Sequence, residues 1–252
     1  MEPVYIRIRK CAHEIASHFS DPSFYRDLAG ANQISRQFFD TDPIISELRV
    51  FVAAHLEGDF GHGLTHAIKV SLDAGAIMIA ESNNAGYSKE LSERELLKVQ
   101  SAGLLHDIKR KQKNHALKGA EYAEHILKGY RFLPEEVAMI CQAIRNHEAF
   151  KENEGSDLIE DSLVSNSLYD GDKFRWGPDN FTDTIWDMVS FFNTPISKFI
   201  AYYPRGMEGL AKIKHTFRTE TGKKYGPQFI DMGIAIGEEL FRVINTEFRS
   251  YL

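Results

Sequence analysis

Apolar residues recur at three- and four-residue intervals along most of the chain, the period of helices that bury one face. The spacing predicts helices over Tyr5–Phe19, Pro22–Phe39 and Pro43–Leu56, with Asp21-Pro22 and Asp42-Pro43 reading as N-caps followed by first-turn prolines. A glycine-bearing turn, EGDFGHG at 57–63, leads into a helix from Leu64 to Glu81. The polar stretch Ser82–Lys89 interrupts the pattern, and Ser92 with Glu95 has the form of a capping box for a helix that runs into His106-Asp107. Further helices are expected over His115–Leu127, Glu135–His147 behind Pro134, Leu158–Phe174, Phe181–Phe192, Ile196–Phe217 with an interruption at Pro204, and Pro227–Phe248. With no convincing strand pairs, no repeat and no low-complexity linker, the fold class is all-α.

Composition narrows this picture. A chain of 252 residues that is 43% hydrophobic can fill one large core, so residues 1–252 are expected to form one unit. A net charge of -6 and a pI near 5.9 argue against a nucleic-acid polymer as partner, since neutralising phosphates needs clustered Lys and Arg. One local basic run, Lys109, Arg110, Lys111 and Lys113, is suited to facing a phosphate group. Cys11 and Cys141 lie far apart and suggest neither a zinc site nor a redox pair, which fits a reducing, cytoplasmic setting. The N-terminus lacks an apolar signal core, and no apolar run reaches the roughly 20 residues of a bilayer span, so no membrane partner is expected.

The chemistry gathers around Ser101–Arg110, SAGLLHDIKR, where a helix of small and apolar residues ends on an imidazole beside a carboxylate. Neutral histidine nitrogen and carboxylate oxygen both bind first-row metal ions. The other candidate donors are His62, His66, His115, His147 and Asp172, each near a helix end or on an apolar face. His62 and His66 are four apart, so both project from one face if the helix begins by His62. Asp170 competes with Asp172, but the two diverge by about 200 degrees on one helix and cannot both face one ion. His13, His18, His55, His125 and His215 have no motif around them and read as structural or surface residues.

Three segments within this set resemble the HD superfamily of metal-dependent phosphohydrolases. His66-Ala67-Ile68-Lys69-Val70 is similar to its opening HxxRV motif with Lys for Arg, LLHDI at Leu104–Ile108 to its signature, and Asp172-Lys173-Phe174 to its closing motif. The resemblance covers Gly61–Phe174 and implies a helical HD core at about 57–180, with additional helices in 1–56 and 181–252 packed on it. It favours Asp172 over Asp170 as the closing ligand. HALKGA at His115–Ala120 resembles the HPxxGA segment of the binuclear branches, and Asn146-His147-Glu148 resembles their His-His-Glu with Asn at the first position. The GYP loop of the cyclic-dinucleotide branch is absent, so that activity is not implied.

The resemblance implies a divalent ion (Mn, Fe, Zn, Ni, Co or Mg) on His66, His106, Asp107 and Asp172, and suggests a second on His115 and His147 with His62 assisting. Such an ion polarises a phosphoryl oxygen and supplies hydroxide near neutral pH. Asp107 would ligate and orient the water, and Lys109 or Arg110 would offset charge on a small phosphorylated or nucleotide-like substrate. Two other readings are a di-iron oxygenase, which also uses extra histidines, and a metal-binding signalling module. The aromatic residues Phe191, Phe192, Phe199, Tyr202 and Tyr203 are assigned to core packing.

Overall fold

A computed structural model describes residues 3–56, 63–151 and 162–251, and among these every regular element is a helix. The N-terminal helices are α1 (Pro3–Ala16), α2 (Ser23–Asp27), α3 (Ala29–Thr41) and α4 (Pro43–His55). The central group is α5 (Leu64–Asn84), α6 (Lys89–Leu105), α7 (His115–Leu127), α8 (Pro134–Arg145) and α9 (Leu163–Phe174). A π-helical turn, Asn180–Thr184, opens into α10 (Ile185–Phe191), followed by α11 (Ile196–Ile213) and the long α12 (Glu220–Glu247). None of them is long and apolar enough to cross a membrane.

Helix α5 is the axis of the central group, with α3, α6 and α9 packed against it. Helix axes approach this closely only where side chains are small. A Cβ on Gly171 of α9 would lie 2.7 Å from the Ala74 nitrogen of α5, and one on Gly103 of α6 would lie 2.8 Å from the Ser71 Cα. Glycine at these two positions therefore brings the ends of α6 and α9 onto the same stretch of α5. Buried hydrogen bonds then set the register: Ser71 Oγ donates to the Ala67 and Gln100 carbonyls at 2.8 and 3.1 Å, and Gln100 Nε2 donates to the Ser35 carbonyl at 2.8 Å.

Two apolar clusters fill the interior. One, including Leu48, Val70, Leu96, Leu104, Ile144 and Leu168, lies among α4 to α9. The other joins α1, α2 and the C-terminal helices through Tyr5, Phe24, Phe174, Trp186 and Phe229. Phe174, at the end of α9, stacks on Phe229 of α12 with ring centres 4.1 Å apart, so the C-terminal helices hold the end of the helix that carries Asp172.

Several helix boundaries differ from the spacing-based expectation. The predicted helix over Pro22–Phe39 is two helices, and Asp21 does not cap the first, because Pro22 takes the N-cap position. Asp42 does cap α4, accepting from the Ile45 amide at 3.0 Å. The capping box at Ser92 is not formed: α6 starts a turn earlier with Ser88 as N-cap, leaving Ser92 buried and Glu95 paired with Lys98 at 2.6 Å. Neither Pro204 nor Pro227 ends a helix. Both lie inside, and α12 starts earlier, at a Thr219 cap whose hydroxyl accepts from Gly222. Packing of the flanking apolar faces outweighs the one backbone hydrogen bond that each proline forfeits.

Candidate metal centre

Six of the candidate donors, His66, His106, Asp107, His115, His147 and Asp172, converge where α5, α6, α7, α8 and α9 meet. Helix α6 ends at Leu105, and the backbone continues in tighter turns, with Ile108 donating to the Leu105 carbonyl at 3.1 Å and Arg110 to the Asp107 carbonyl at 2.9 Å. These turns fan His106, Asp107 and Arg110 out from the helix end, while fully buried Ile108 anchors them. Asn114, in the left-handed region at φ 58°, then starts α7 and sets His115 at its first position. Helix α8 stops at Arg145, so His147 lies in the turn just beyond it rather than on the helix as the spacing predicts.

All the donors are buried, with His106 fully inaccessible and His115, the most exposed, at 9%. His66 Nε2 faces His106 Nε2 at 3.3 Å and Asp172 Oδ1 at 3.3 Å. The Asp107 carboxylate divides its oxygens: Oδ2 lies 3.4 Å from His106 Nε2 and 4.0 Å from His66 Nε2, whereas Oδ1 lies 3.4 Å from both His115 Nε2 and His147 Nε2. Two triads result, His66-His106-Asp107 and Asp107-His115-His147, each with ligand atoms within 4.8 Å of one another and with Asp107 common to both.

The surroundings prepare these groups to bind a cation. His106 Nδ1 and His147 Nδ1 donate to the Gly103 and Ile144 carbonyls at 2.7 and 2.6 Å, which fixes the tautomers and turns both Nε2 lone pairs inward. His147 Nε2 is buried and has no hydrogen-bond partner, the condition of a nitrogen that awaits an ion. Burial opposes a charge on His106, but the Asp107 and Asp172 carboxylates outweigh it and raise its pKa; a proton there takes the place that a metal cation would occupy. Burial likewise works against an anionic Asp172, yet the Lys173 ammonium and the hydrogen bond from His66 hold its pKa well below the usual carboxylate range. The donor set and its electrostatics thus fit a divalent ion.

His115 behaves differently. Burial, helped by the nearby Arg110 guanidinium, lowers its pKa to about 4 against the pull of Asp107. In metal-free protein it stays neutral where the unfolded chain, with the ordinary value of 6.5, takes up a proton. Its contribution to stability is complete above pH 6.5 and is lost as the pH falls toward 4. The melting-temperature difference between chelator-treated wild type and His115→Gln should therefore shrink from pH 7 to pH 4; a constant difference across that window would contradict it.

Of the remaining candidates, His62 lies outside the described residues. Arg110 Nη1 reaches His115 Nε2 at 2.6 Å and Asp107 Oδ1 at 3.6 Å, so its charge faces the donors. Lys109 instead has its ammonium 3.8 Å from the centre of the Tyr122 ring, and the structure does not bring it to the cluster in the same way. Asp170 is turned away and accepts from the Arg218 and Thr219 amides and the Thr219 hydroxyl at 2.9, 2.8 and 2.7 Å, which binds α9 to the start of α12. His13, His18, His55, His125 and His215 are exposed.

The structure also brings in residues that the sequence reading did not select. Glu148 Oε1 lies 3.7 Å from His115 Nδ1, suited to orienting that ring. Its signal was its place in NHE. A buried network lies behind His66: Arg175, which directly follows the closing motif, pairs with Asp73 and Asp179 and donates to Tyr25 at 2.9 Å, while Lys69, the Lys-for-Arg position of the opening motif, reaches Asp179 at 3.0 Å; only Asp73, Asp179 and Tyr25 carried no signal. His66 also borders two cavities. One, of about 300 Å³, is lined by polar groups including Lys69, Asp179 and Asp183. The other, of about 430 Å³, is largely apolar and includes Arg110 and Trp176 in its wall. The aromatic residues assigned to core packing largely line this second cavity: Phe192, Phe199, Tyr202 and Tyr203 do so, and only Tyr203 of the four is fully in the core.

An all-helical protein with buried His/Asp groups able to hold a metal ion, joined through one shared aspartate, is the class that fold and site define. Residues 63–176 match the family model described as HD domain, which is consistent with membership of the HD superfamily of metal-dependent hydrolases. No curated protein and no solved structure gives a significant match.

Proposed function

We propose that this protein is a metal-dependent phosphohydrolase acting on a small phosphorylated substrate, with His66, His106, Asp107 and Asp172 holding one divalent ion and Asp107, His115 and His147 holding a second. The observation that carries this reading is the division of the Asp107 carboxylate between two histidine pairs. A divalent ion bound there supplies Lewis-acid polarisation of a phosphoryl oxygen and a water acidic enough to attack near neutral pH. The chain's own groups do the rest. Lys173 keeps Asp172 anionic, the Gly103 and Ile144 carbonyls hold His106 and His147 in the ligating tautomer, and Glu148 orients His115. Arg110 faces both the donors and the larger cavity, the position from which a guanidinium can neutralise phosphoryl oxygens as the bond breaks.

That cation favours an anionic substrate and ranks hydrolysis above the di-iron oxygenase reading. A metal-reconstituted sample should release inorganic phosphate from phosphate monoesters, lose this activity to a chelator, and lose about 10²- to 10³-fold in kcat/KM in Arg110→Gln while Lys109→Gln stays within a few-fold of wild type. Oxygen consumption without phosphate release would overturn the proposal.

A further inference from the structure

The cavity beside the candidate metal centre has a composition that bears on the substrate. It runs from His66 and Arg110 at one end between the π-helical turn, α10 and α11, and its volume of about 430 Å³ is in the range of small-molecule sites. Beyond the basic end, its walls are mostly apolar, with Phe181, Ile185, Val189, Phe199 and Met207, and Asn180, Thr184 and Thr194 are the neutral polar residues among them. The Tyr203 hydroxyl in the wall is already used, donating to the Gly237 carbonyl at 2.8 Å. Among the described residues no carboxylate lines this cavity as the acidic acceptor that commonly holds a ribose diol.

The mouth is apolar as well. Met188, Phe192 and Tyr202 line the cavity and are 39%, 59% and 56% exposed, and Phe191 packs edge-on against Phe192. Large apolar side chains left in water around a cavity mark a place where an apolar ligand enters.

We propose that the substrate is an amphiphilic phosphate ester, a small anionic head carrying an alkyl, isoprenoid or aromatic tail, with the tail seated in this cavity and the phosphate at Arg110. The inference rests on the phosphohydrolase reading for its headgroup, but the cavity and its apolar walls stand apart from the chemistry. A tail here buries apolar surface at each added methylene, which corresponds to about a fourfold gain in affinity per methylene until the cavity is filled. A nucleoside would set most of its polar edges against Phe181, Val189 and Met207, with Asn180, Thr184 and Thr194 too few to satisfy them all.

The test uses the full chain loaded with metal and a series of non-hydrolysable alkylphosphonates from butyl to octyl, with the phosphonate analogue of adenosine monophosphate beside them. Affinity is read by calorimetry. Tightening of about fourfold per methylene is expected, with the adenosine analogue weaker than the octyl compound. Gly206 in the cavity wall offers a blocking variant, because a Cβ there meets nothing within 4 Å. Gly206→Phe should cut octyl affinity at least tenfold while leaving butyl binding within a few-fold. The length series on the unaltered chain decides the matter even if that variant folds poorly. Length-independent affinity, or tighter binding of the adenosine analogue, overturns the proposal. The matching alkyl phosphates separate the two ideas: length-dependent phosphonate binding without phosphate release sinks hydrolysis and leaves the apolar-tail site standing, whereas phosphate release that is indifferent to tail length does the reverse.

Discussion

Replacing Asp107 with alanine is expected to strip the purified protein of all its bound metal and to reduce the proposed phosphohydrolase turnover by three orders of magnitude or more. Both carboxylate oxygens are engaged, one toward His66 and His106 and the other toward His115 and His147, so one substitution removes an anionic donor from each triad. The second position is then left with imidazoles alone and the first with Asp172 as its single carboxylate, so both lose charge and a ligand for a divalent cation. Elemental analysis after dialysis measures the loss directly. The helices should survive, because the cores of Leu104, Ile144 and Leu168 and of Phe24, Phe174 and Phe229 are untouched, and circular dichroism would show it. Undiminished metal in the Asp107→Ala protein would remove the basis of the site assignment.

The second large effect separates the two triads. His147→Ala or His115→Ala should lower the metal content by about half, since His66, His106 and Asp172 do not depend on either ring, whereas His106→Ala should empty the first position. If His115 and His147 only touch substrate, both variants would keep their full metal and lose turnover alone. Arg110 makes this comparison informative. Its guanidinium stands 2.6 Å from His115 Nε2, so it must withdraw for that nitrogen to ligate. Arg110→Gln should therefore leave metal at the second position unchanged or raised, and a fall there would show that Arg110 supports the ligands instead of competing with a cation.

The helical character of this chain was plain in its apolar spacing, because each helix buries one face and the period of burial is written locally. Helix starts were less legible. Ser88 and Ser92 are both acceptable caps in isolation, and the choice of Ser88 follows from Ser92 and Leu96 being needed in the interior. Pro204 reads as a break and Pro227 as a helix start for the same reason: the forfeited hydrogen bond is a local cost, and the apolar contacts that outweigh it come from distant segments such as Phe174 and Phe181.

For the candidate site, the sequence by itself determined which residue types were available and in what order: His66 in a motif on one helix, His106-Asp107 at the end of another, then His115, His147 and Asp172. The resemblance to the HD motifs, not helical spacing, favoured Asp172 over Asp170. Only the tertiary structure decided that one carboxylate faces four histidines, that Arg110 and not Lys109 reaches them, that Glu148 stands behind His115, and that the aromatic residues after Ile185 wall a cavity. The physical reason is one of range. Helical period and motif spacing act within a few residues, whereas the approach of α6 and α9 to α5 depends on Gly103 and Gly171 meeting Ser71 and Ala74 of a helix that begins about 40 and 110 residues earlier.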